Sequence, residues 1–583
     1  MLKPKKRYTQ RKVDDFSGRK KLVFFLMISA MLILIVKAVQ LQVLDRQFLQ
    51  KQARSRHVGE VEIAAYRGQI QDRNGESLAV SAPVETIWLN PQYCNVKHGK
   101  KLKQACVELT AEKLKQVASL LGLPRVKLER AFDPSSKKQF VYLKRRVNPL
   151  LADKIKALSL PGVGFIREFK RFYPAGEETA HLLGFTNIDD QGQEGLELMY
   201  NATLQGVEGS KRVIRDGARR VIEDIDVESI NQPEAGQDLI LSIDERLQYL
   251  AYRELKTGVI KHKAKAASLV ILEADTGNIL AVVNQPSFNP NSRKGLKASN
   301  YRNRAITDVF EPGSTMKPLV VAAALEGGFI KENQLFTTNS FKIKGKWVKD
   351  GHHYGTLNLS NVLKKSSNVA ASKIALSMPA EYFWRFYNSV GFGRSAGVGF
   401  PGEANGFLPE YFSWSKFEQA TLSFGYRVSM SVLQLARAYT VLADDGLLHS
   451  VSLLKRDKDE YATRILSAET AIKVRTMIEQ VVKKDGTAFK AKVSGYRVAG
   501  KTGTVKKAGV GGYGNDYLSV FVGMAPASNP KLIIAVMVDS PQAGEYYGGL
   551  VAAPIFSKVM GGALRVLKIA PDEEQSMAVL LTK

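Results

Sequence analysis

Fifteen consecutive residues, Leu22 to Val36, carry no charge and almost no polarity (Leu-Val-Phe-Phe-Leu-Met-Ile-Ser-Ala-Met-Leu-Ile-Leu-Ile-Val), and the amphipathic run Lys37 to Leu44 extends the stretch to 23 residues. A helix of that length, at about 1.5 Å per residue, crosses a hydrocarbon core of about 30 Å, with Lys37 able to snorkel at the far end. Before it stand nine Lys or Arg against Asp14 and Asp15, so the positive-inside rule keeps residues 1–21 in the cytoplasm. Whatever else the chain builds must then fold outside, after residue 44. A cleaved secretory signal has a similar apolar centre, but no small-x-small cleavage site follows here; the exit reads Lys-Ala-Val-Gln-Leu-Gln-Val-Leu. The segment is read as an uncleaved anchor.

A chain of 583 residues exceeds one ordinary core and is expected to form two to four domains. Its formal net charge of +28 attracts polyanions such as nucleic acid, anionic lipid or acidic wall polymer. The expected topology removes nucleic acid from that choice. An extracytoplasmic compartment permits a disulfide between Cys94 and Cys106, and two free thiols are equally compatible with the spacing. No Cys/His cluster has metal spacing, and His352 and His353, being adjacent, point to opposite faces of a strand. No metal and no cofactor are expected.

After the anchor, Arg67 to Glu76 reads as strand and turn, with Asn74-Gly75 supplying a positive φ. Residues 108–132 carry helical periodicity, residues 167–227 are charged and Gly-rich, and Asn231 to Gln237 has linker composition. The middle region concentrates no chemistry and reads as a spacer that lifts something away from the membrane. Beyond it, Asp238 to Ile243 is a short strand, and Asp244 is placed to cap the helix carrying Leu247, Leu250, Ala251 and Leu255. Ser268–Ala274 and Ile279–Val283 are apolar strands around the turn Asp275–Asn278; Tyr517–Met524 and Leu532–Val538 repeat the pattern before a helix from about Ala553 to Leu567. Strands at both ends with helices between them predict one mixed α/β domain whose sheet collects early and late segments.

Three short motifs fall inside that domain. In Glu311-Pro-Gly-Ser314-Thr-Met-Lys317-Pro318, Pro312-Gly313 makes a turn, and the apolar run to Leu325 makes a buried helix starting near Ser314. Ser and Lys at i and i+3 share a face, so a desolvated amine with lowered pKa can activate the hydroxyl as a nucleophile. Backbone N–H groups at the helix start point toward a developing oxyanion. Ser-x-x-Lys also occurs at Ser17/Lys20, Ser135/Lys138 and Ser452/Lys455, so the tetrad alone is weak. Ser366-Ser367-Asn368 lies between two helix-like runs, where a hydroxyl can relay a proton and an amide can orient a peptide. Lys501-Thr502-Gly503-Thr504 ends or continues a strand whose edge can pair with an extended peptide while Lys and Thr hold a carboxylate.

Several lookalikes compete. Gly495 to Thr502 satisfies the phosphate-loop pattern, with Leu532 to Asp539 as its acidic strand, but Gly503-Thr-Val-Lys-Lys-Ala-Gly509 is poor helix text and such a loop needs a helix there. Gly509 to Gly514 has dinucleotide-loop spacing without a βαβ unit, and Gly393 to Gly397 has hydrolase-elbow spacing without a preceding strand. The first is read as the strand that carries Lys501, and the other two as turns.

The ordered motif trio resembles that of penicillin-binding proteins and β-lactamases. The chain is most similar to class B, monofunctional penicillin-binding proteins of the division-specific type. The likeness runs from the anchor to about Ile569 and includes Arg67-Gly68, Asp72-Arg-Asn-Gly75, Arg171 to Gly176, His181 to Asn187, Glu194 to Glu197, Tyr301 to Arg304, Thr307 to Gly313, Ser423 to Tyr426 and Tyr546 to Gly549. It implies a mainly antiparallel sheet flanked by helices, an elongated α+β pedestal and one transmembrane helix. The expected divisions are a cytoplasmic tail 1–21, an anchor 22–44, a pedestal 45–230, a transpeptidase domain 238–570 and a tail 571–583. It also implies that Ser314 attacks the D-Ala-D-Ala carbonyl of a stem peptide with Lys317 as base. Ser366 would relay the proton to the departing D-Ala, Asn368 position the peptide, and Lys501, Thr502 and Thr504, around Gly503, hold its carboxylate. Backbone N–H groups of Ser314 and Thr504 form the oxyanion hole. An amine of a neighbouring stem peptide takes the acyl group, β-lactams acylate the same serine, and a membrane-embedded glycan polymerase and other division proteins are the implied partners.

The chain departs from the resemblance at Arg427, where relatives carry Gly, and at Ser429 and Met430, which bears on β-lactam affinity and loop shape. An elongation-type transpeptidase, a β-lactamase-like hydrolase and a non-enzymatic wall-binding scaffold are the competing readings. The hydrolase of class A needs a Glu-x-x-Leu-Asn-like segment to activate water, and none occurs from Asn368 to Lys501.

Overall fold

The computed structural model describes residues 17–94, 111–133, 135–138, 140–215, 221–224, 231–292, 295, 297–509 and 512–573. Residues 1–16, Cys106 and 574–583 lie outside that set, and with them most of the expected cytoplasmic tail and one partner of the possible disulfide. The apolar segment forms the helix Ser17–Val39 and continues as one wider turn, Gln40–Leu44. None of its 28 residues is buried in protein, so its apolar surface needs lipid, and the protein is membrane-anchored. The helix Gly548–Val566 is also long and apolar, but 61% of its apolar window is buried and it packs on the strands Gly512–Ala525 and Leu532–Asp539. It is a core helix.

The pedestal is built on strands Ser77–Leu89, Val141–Val147 and Val163–Phe172, paired antiparallel. The described part of the periodic segment, residues 111–132, holds two helices, Ala111–Leu121 and Arg125–Ala131, because Gly122 takes φ +60° and Pro124 stops the helix. Its described apolar side chains, among them Val117, Leu121 and Leu128, close a small separate core. The expected linker is tied down instead: Asn231 and Glu234 bridge to Ser210 and Val207. Strand Leu239–Ile240 pairs in parallel with Ile70–Gln71 and so extends the pedestal sheet.

At the centre of the pedestal, distant segments meet on one buried carboxylate. Glu197 accepts from Arg67 Nε at 2.8 Å and from Arg171 Nε at 2.6 Å, while Arg171 Nη1 reaches the Gly68 carbonyl at 2.8 Å. All three side chains are at most 3% exposed. Removing one partner strands the others in low dielectric, so Arg67→Ala is expected to destabilise the pedestal by about 3 kcal/mol. Denaturation of the full-length protein followed at Trp88, which stacks on Phe140 in this region, measures it; an unchanged midpoint would contradict the claim. The turn Asp72–Gly75 docks on the next domain, where Asp72 accepts from Glu245 N at 3.1 Å and Arg73 pairs with Glu273 at 3.3 Å.

The second domain has a five-stranded sheet in the order Ile279–Gln285, Ala266–Glu273, Leu532–Asp539, Gly512–Ala525, Ala499–Gly509, antiparallel throughout. Early and late segments are interleaved as expected. Strands 266–273 and 532–539 are buried almost end to end because helices cover both faces, which is why they read as unbroken apolar runs. Asp244 caps helix Glu245–His262, accepting from Arg246 N, and that helix packs with Gly548–Val566 against the sheet. Ala499–Gly509 is left at the sheet edge, facing the helical side of the domain.

Candidate active site

Ser314 sits in a 3₁₀ turn, Gly313–Met316, and the α-helix itself begins at Lys317 and runs to Glu326. The helix expected to start near Ser314 thus starts one turn later. In a 3₁₀ turn residues i and i+3 eclipse, which stacks Ser314 over Lys317 more directly than an α-turn would. Thr315 Oγ1 donates to the Pro312 carbonyl at 2.8 Å, and the buried Tyr439 hydroxyl donates to the Thr315 carbonyl at 2.7 Å, fixing the turn from both sides. From Lys317 to Ala324 every residue is buried, as an all-apolar helix requires.

Ser366 ends helix Leu359–Lys365 at φ +58°, and Asn368 opens helix Asn368–Ser377, whose cap is Ser367 accepting from Ala370 N. This tight joint turns Ser366 and Asn368 toward Lys317. Lys317 Nζ donates to the Ser366 carbonyl at 2.5 Å and to Asn368 Oδ1 at 2.7 Å, with Ser366 Oγ at 3.1 Å. Among the described residues, Ser314 Oγ has no hydrogen-bond partner.

The third motif lies in the edge strand. A Cβ added to Gly503 would stand 2.7 Å from the Pro312 carbonyl, so only glycine lets this strand approach the Ser314 turn. Lys501 Nζ donates to Ser366 Oγ at 3.0 Å, and Thr502 Oγ1 donates to Thr487 Oγ1 at 3.1 Å. Thr504 Oγ1 accepts from Gly548 N at 2.9 Å and so also holds the start of the C-terminal helix. All eight residues singled out in the sequence therefore converge, with Ser366 Oγ bridging two lysines.

Those lysines are fully buried. Burial lowers the Lys501 pKa from 10.5 to about 7. Lys317 is held well below the ordinary lysine range, first by burial and then by the charge of Lys501, with the Asp350 carboxylate opposing. Two ammonium groups cannot share one hydroxyl cheaply, so the proximity of Lys501 adds to the burial that favours the neutral amine at Lys317. A neutral amine has two N–H donors and one lone pair. The Ser366 carbonyl and the Asn368 amide oxygen can take the two donors, and the lone pair is then free to take a proton from a hydroxyl, either that of Ser366 at 3.1 Å or that of Ser314 one turn away.

Sequence reasoning missed four contributors. Tyr439 and Thr487 act from 124 residues after Thr315 and 15 before Thr502, with no motif spacing. Asp350 accepts from Ser367 Oγ at 2.5 Å, and Glu311 accepts from the Tyr513 hydroxyl at 3.0 Å and from Arg427 N at 2.8 Å. Arg427 itself stands at φ +66°, the region where glycine is comfortable, with its guanidinium on Glu418. Replacing it by Ala or Gly removes the same ion pair, and only Gly relieves the backbone. R427G is expected to exceed R427A in stability by about 1 kcal/mol in chemical denaturation, and equal stabilities would contradict this.

The lookalike motifs separate from this cluster. Lys501-Thr502 is followed by strand, not helix, which removes the phosphate-loop reading. Gly393–Gly397 is a turn after helix Ala380–Ser389, with no strand before it. Gly509 pairs with Gly512 at the end of the long hairpin.

Residues 267–561 match the family model of the penicillin binding protein transpeptidase domain, and residues 62–241 match that of the penicillin-binding protein dimerisation domain. The chain is 41% identical over 571 residues to peptidoglycan D,D-transpeptidase FtsI of Escherichia coli strain K12, covering 98% of this chain and 95% of that protein. It is 39% identical over 567 residues to the probable peptidoglycan D,D-transpeptidase PenA of Neisseria gonorrhoeae, covering 97% and 96%. The apo structure of the TP domain from Burkholderia pseudomallei penicillin-binding protein 3 is similar at 43% identity and a TM-score of 0.53, over 57% of this chain and 98% of that one.

Proposed function

The chain belongs to the class B penicillin-binding proteins, and from that premise we propose that it is a septal peptidoglycan D,D-transpeptidase working through a Ser314 acyl-enzyme. The single observation that carries the reading is the placement of Lys317 Nζ, buried and bonded to the Ser366 carbonyl and Asn368 Oδ1, one 3₁₀ turn from Ser314. Ser314 Oγ attacks the penultimate D-Ala carbonyl carbon as its proton passes to the Lys317 lone pair. Charge developing on the carbonyl oxygen meets the backbone N–H groups of Ser314 and Thr504. When the C–N bond breaks, Ser366 Oγ passes a proton to the departing D-Ala amine and is resupplied by the protonated lysine. Lys501, Thr502 and Thr504 hold the terminal carboxylate as the stem peptide lies along the free edge of strand Ala499–Gly509. An acceptor amine then attacks the ester carbon, an amide forms, and the proton returns to Ser314. Penicillins acylate the same oxygen.

In this reading residues 1–21 are cytoplasmic, 22–44 anchor the chain in the inner membrane as a single pass, and the pedestal 45–230 carries the transpeptidase domain 238–570 and tail 571–583 in the periplasm. A membrane-embedded glycan polymerase and other division proteins are its partners, met through anchor and pedestal. Depletion followed by microscopy tests the septal assignment: filaments are expected, and round cells would assign the enzyme to elongation.

A further inference from the structure

Asp350 lies 16 residues before Ser366 and touches neither Ser314 nor Lys317 through a hydrogen bond, yet it is tied to the second motif at three points. The hairpin of strands Phe341–Ile343 and Lys346–Val348 delivers it to the start of helix Asn368–Ser377. There its Oδ1 accepts from Asn368 N and, at 3.1 Å, from Val369 N, while Oδ2 accepts from Ser367 Oγ at 2.5 Å. These are the otherwise unsatisfied donors of the helix start and the cap residue itself. A charge-assisted clamp of this kind fixes the backbone from Ser367 to Val369. Ser366 and Asn368, whose oxygens receive both N–H bonds of Lys317, are the residues whose places it determines.

We propose that Asp350 is a positioning residue for acylation: its carboxylate locks the Ser366–Asn368 joint that holds Lys317 in place beside the Ser314 turn. The proposal rests on the reading of Ser314 as nucleophile and Lys317 as base. The charges that act on Lys317 are Lys501, from the edge strand, and Asp350, from the hairpin side. The helices packed on its own, Leu359–Lys365, Asn368–Ser377, Ala380–Ser389 and Ala468–Glu479, bring no other. Asp350 opposes the two influences that depress the Lys317 pKa, so loss of its charge leaves Lys317 neutral to lower pH. Its bonds to Ser367 and the two amides also engage both of its oxygens, which separates it from a carboxylate that activates water.

The test uses the full-length protein in detergent and a fluorescent penicillin, with the second-order labelling rate measured from pH 5 to 9 for the wild type, Asp350→Ala and Asp350→Asn. Asp350→Ala loses the clamp, and a shift of the joint by about 1 Å slows labelling by about 100-fold at neutral pH. Asp350→Asn keeps an acceptor for the two amides and recovers most of that rate, but the acid limb of its pH profile moves to lower pH. A wild-type rate in Asp350→Ala, or an acid limb in Asp350→Asn at the wild-type position, overturns the proposal. Failure of the underlying reading looks different: the wild type would not label, or Ser314→Ala would.

Discussion

Ser314→Ala is expected to abolish covalent labelling by fluorescent penicillin, lowering it by at least about 10³-fold, while the melting temperature of the protein stays within error. Both halves follow from the site. Ser314 Oγ has no hydrogen-bond partner among the described residues, so its removal leaves nothing unsatisfied, and the turn is held by Thr315 and Tyr439 instead. The neighbouring hydroxyl, Ser366 Oγ, is engaged by both lysines and belongs to the opposite wall. It is placed to carry a proton and not to replace the nucleophile. Labelling retained in the mutant would remove Ser314 from its role.

Lys501→Met should act in opposite directions on activity and stability. Without the ammonium the substrate carboxylate loses its charged partner, and acylation slows by about 100-fold. Stability should rise, because the wild type buries a cation. The sign can be worked out from the pKa, which is about 7 in the folded protein and near 10.5 when unfolded. Below pH 7 the lysine is charged in both states and the full cost of burying the charge is present. Between pH 7 and 10.5 the unfolded chain binds more protons than the folded one, so the cost disappears as pH rises. That displacement sets a scale of about 5 kcal/mol, an upper bound that the lost hydrogen bond to Ser366 reduces. Chemical denaturation at pH 6.5 and pH 9.5 should show Lys501→Met more stable than the wild type at the lower pH and the difference shrinking at the higher. A mutant less stable at both would contradict the account. Active sites trade stability for reactive groups in this way.

Much of this was legible in the sequence because the physics involved is local. Pro312-Gly313 followed by an apolar run distinguishes the Ser314 tetrad from the copies at Ser17, Ser135 and Ser452, and continuous apolar strands mark the sheet's interior. The eight motif residues were separable for a related reason: Ser314 and Lys317 sit at a turn and a helix start, Ser366 and Asn368 at a helix end and the next helix start, and Lys501 to Thr504 within one edge strand. What escaped depends on tertiary contact. Asp350 stands in a polar loop, and its partners at Ser367 and Asn368 share no periodicity with it. Tyr439 looks like one more buried aromatic until its hydroxyl is seen on Thr315. Strand Gly512–Ala525 begins five residues before the expected Tyr517, because its exposed outer half is Gly-Tyr-Gly-Asn-Asp and lacks the apolar pattern. The linker composition of 231–237 was real, but bridges to Ser210 and Val207, set by pedestal topology, tie it down. Arg427 broke a local rule openly, and the structure shows the rule being broken, at positive φ.

The central claim is that Ser314 passes its acyl group to an amine and not to water. The most direct measurement incubates the full-length protein with a peptide ending in D-Ala-D-Ala and an isotopically labelled D-amino acid, then follows the products by mass spectrometry. The account predicts release of one D-Ala with the labelled amine joined through a new amide, in greater yield than the hydrolysed peptide, and neither product with Ser314→Ala. Hydrolysed peptide as the sole product, or amide formation surviving the loss of Ser314, would contradict it.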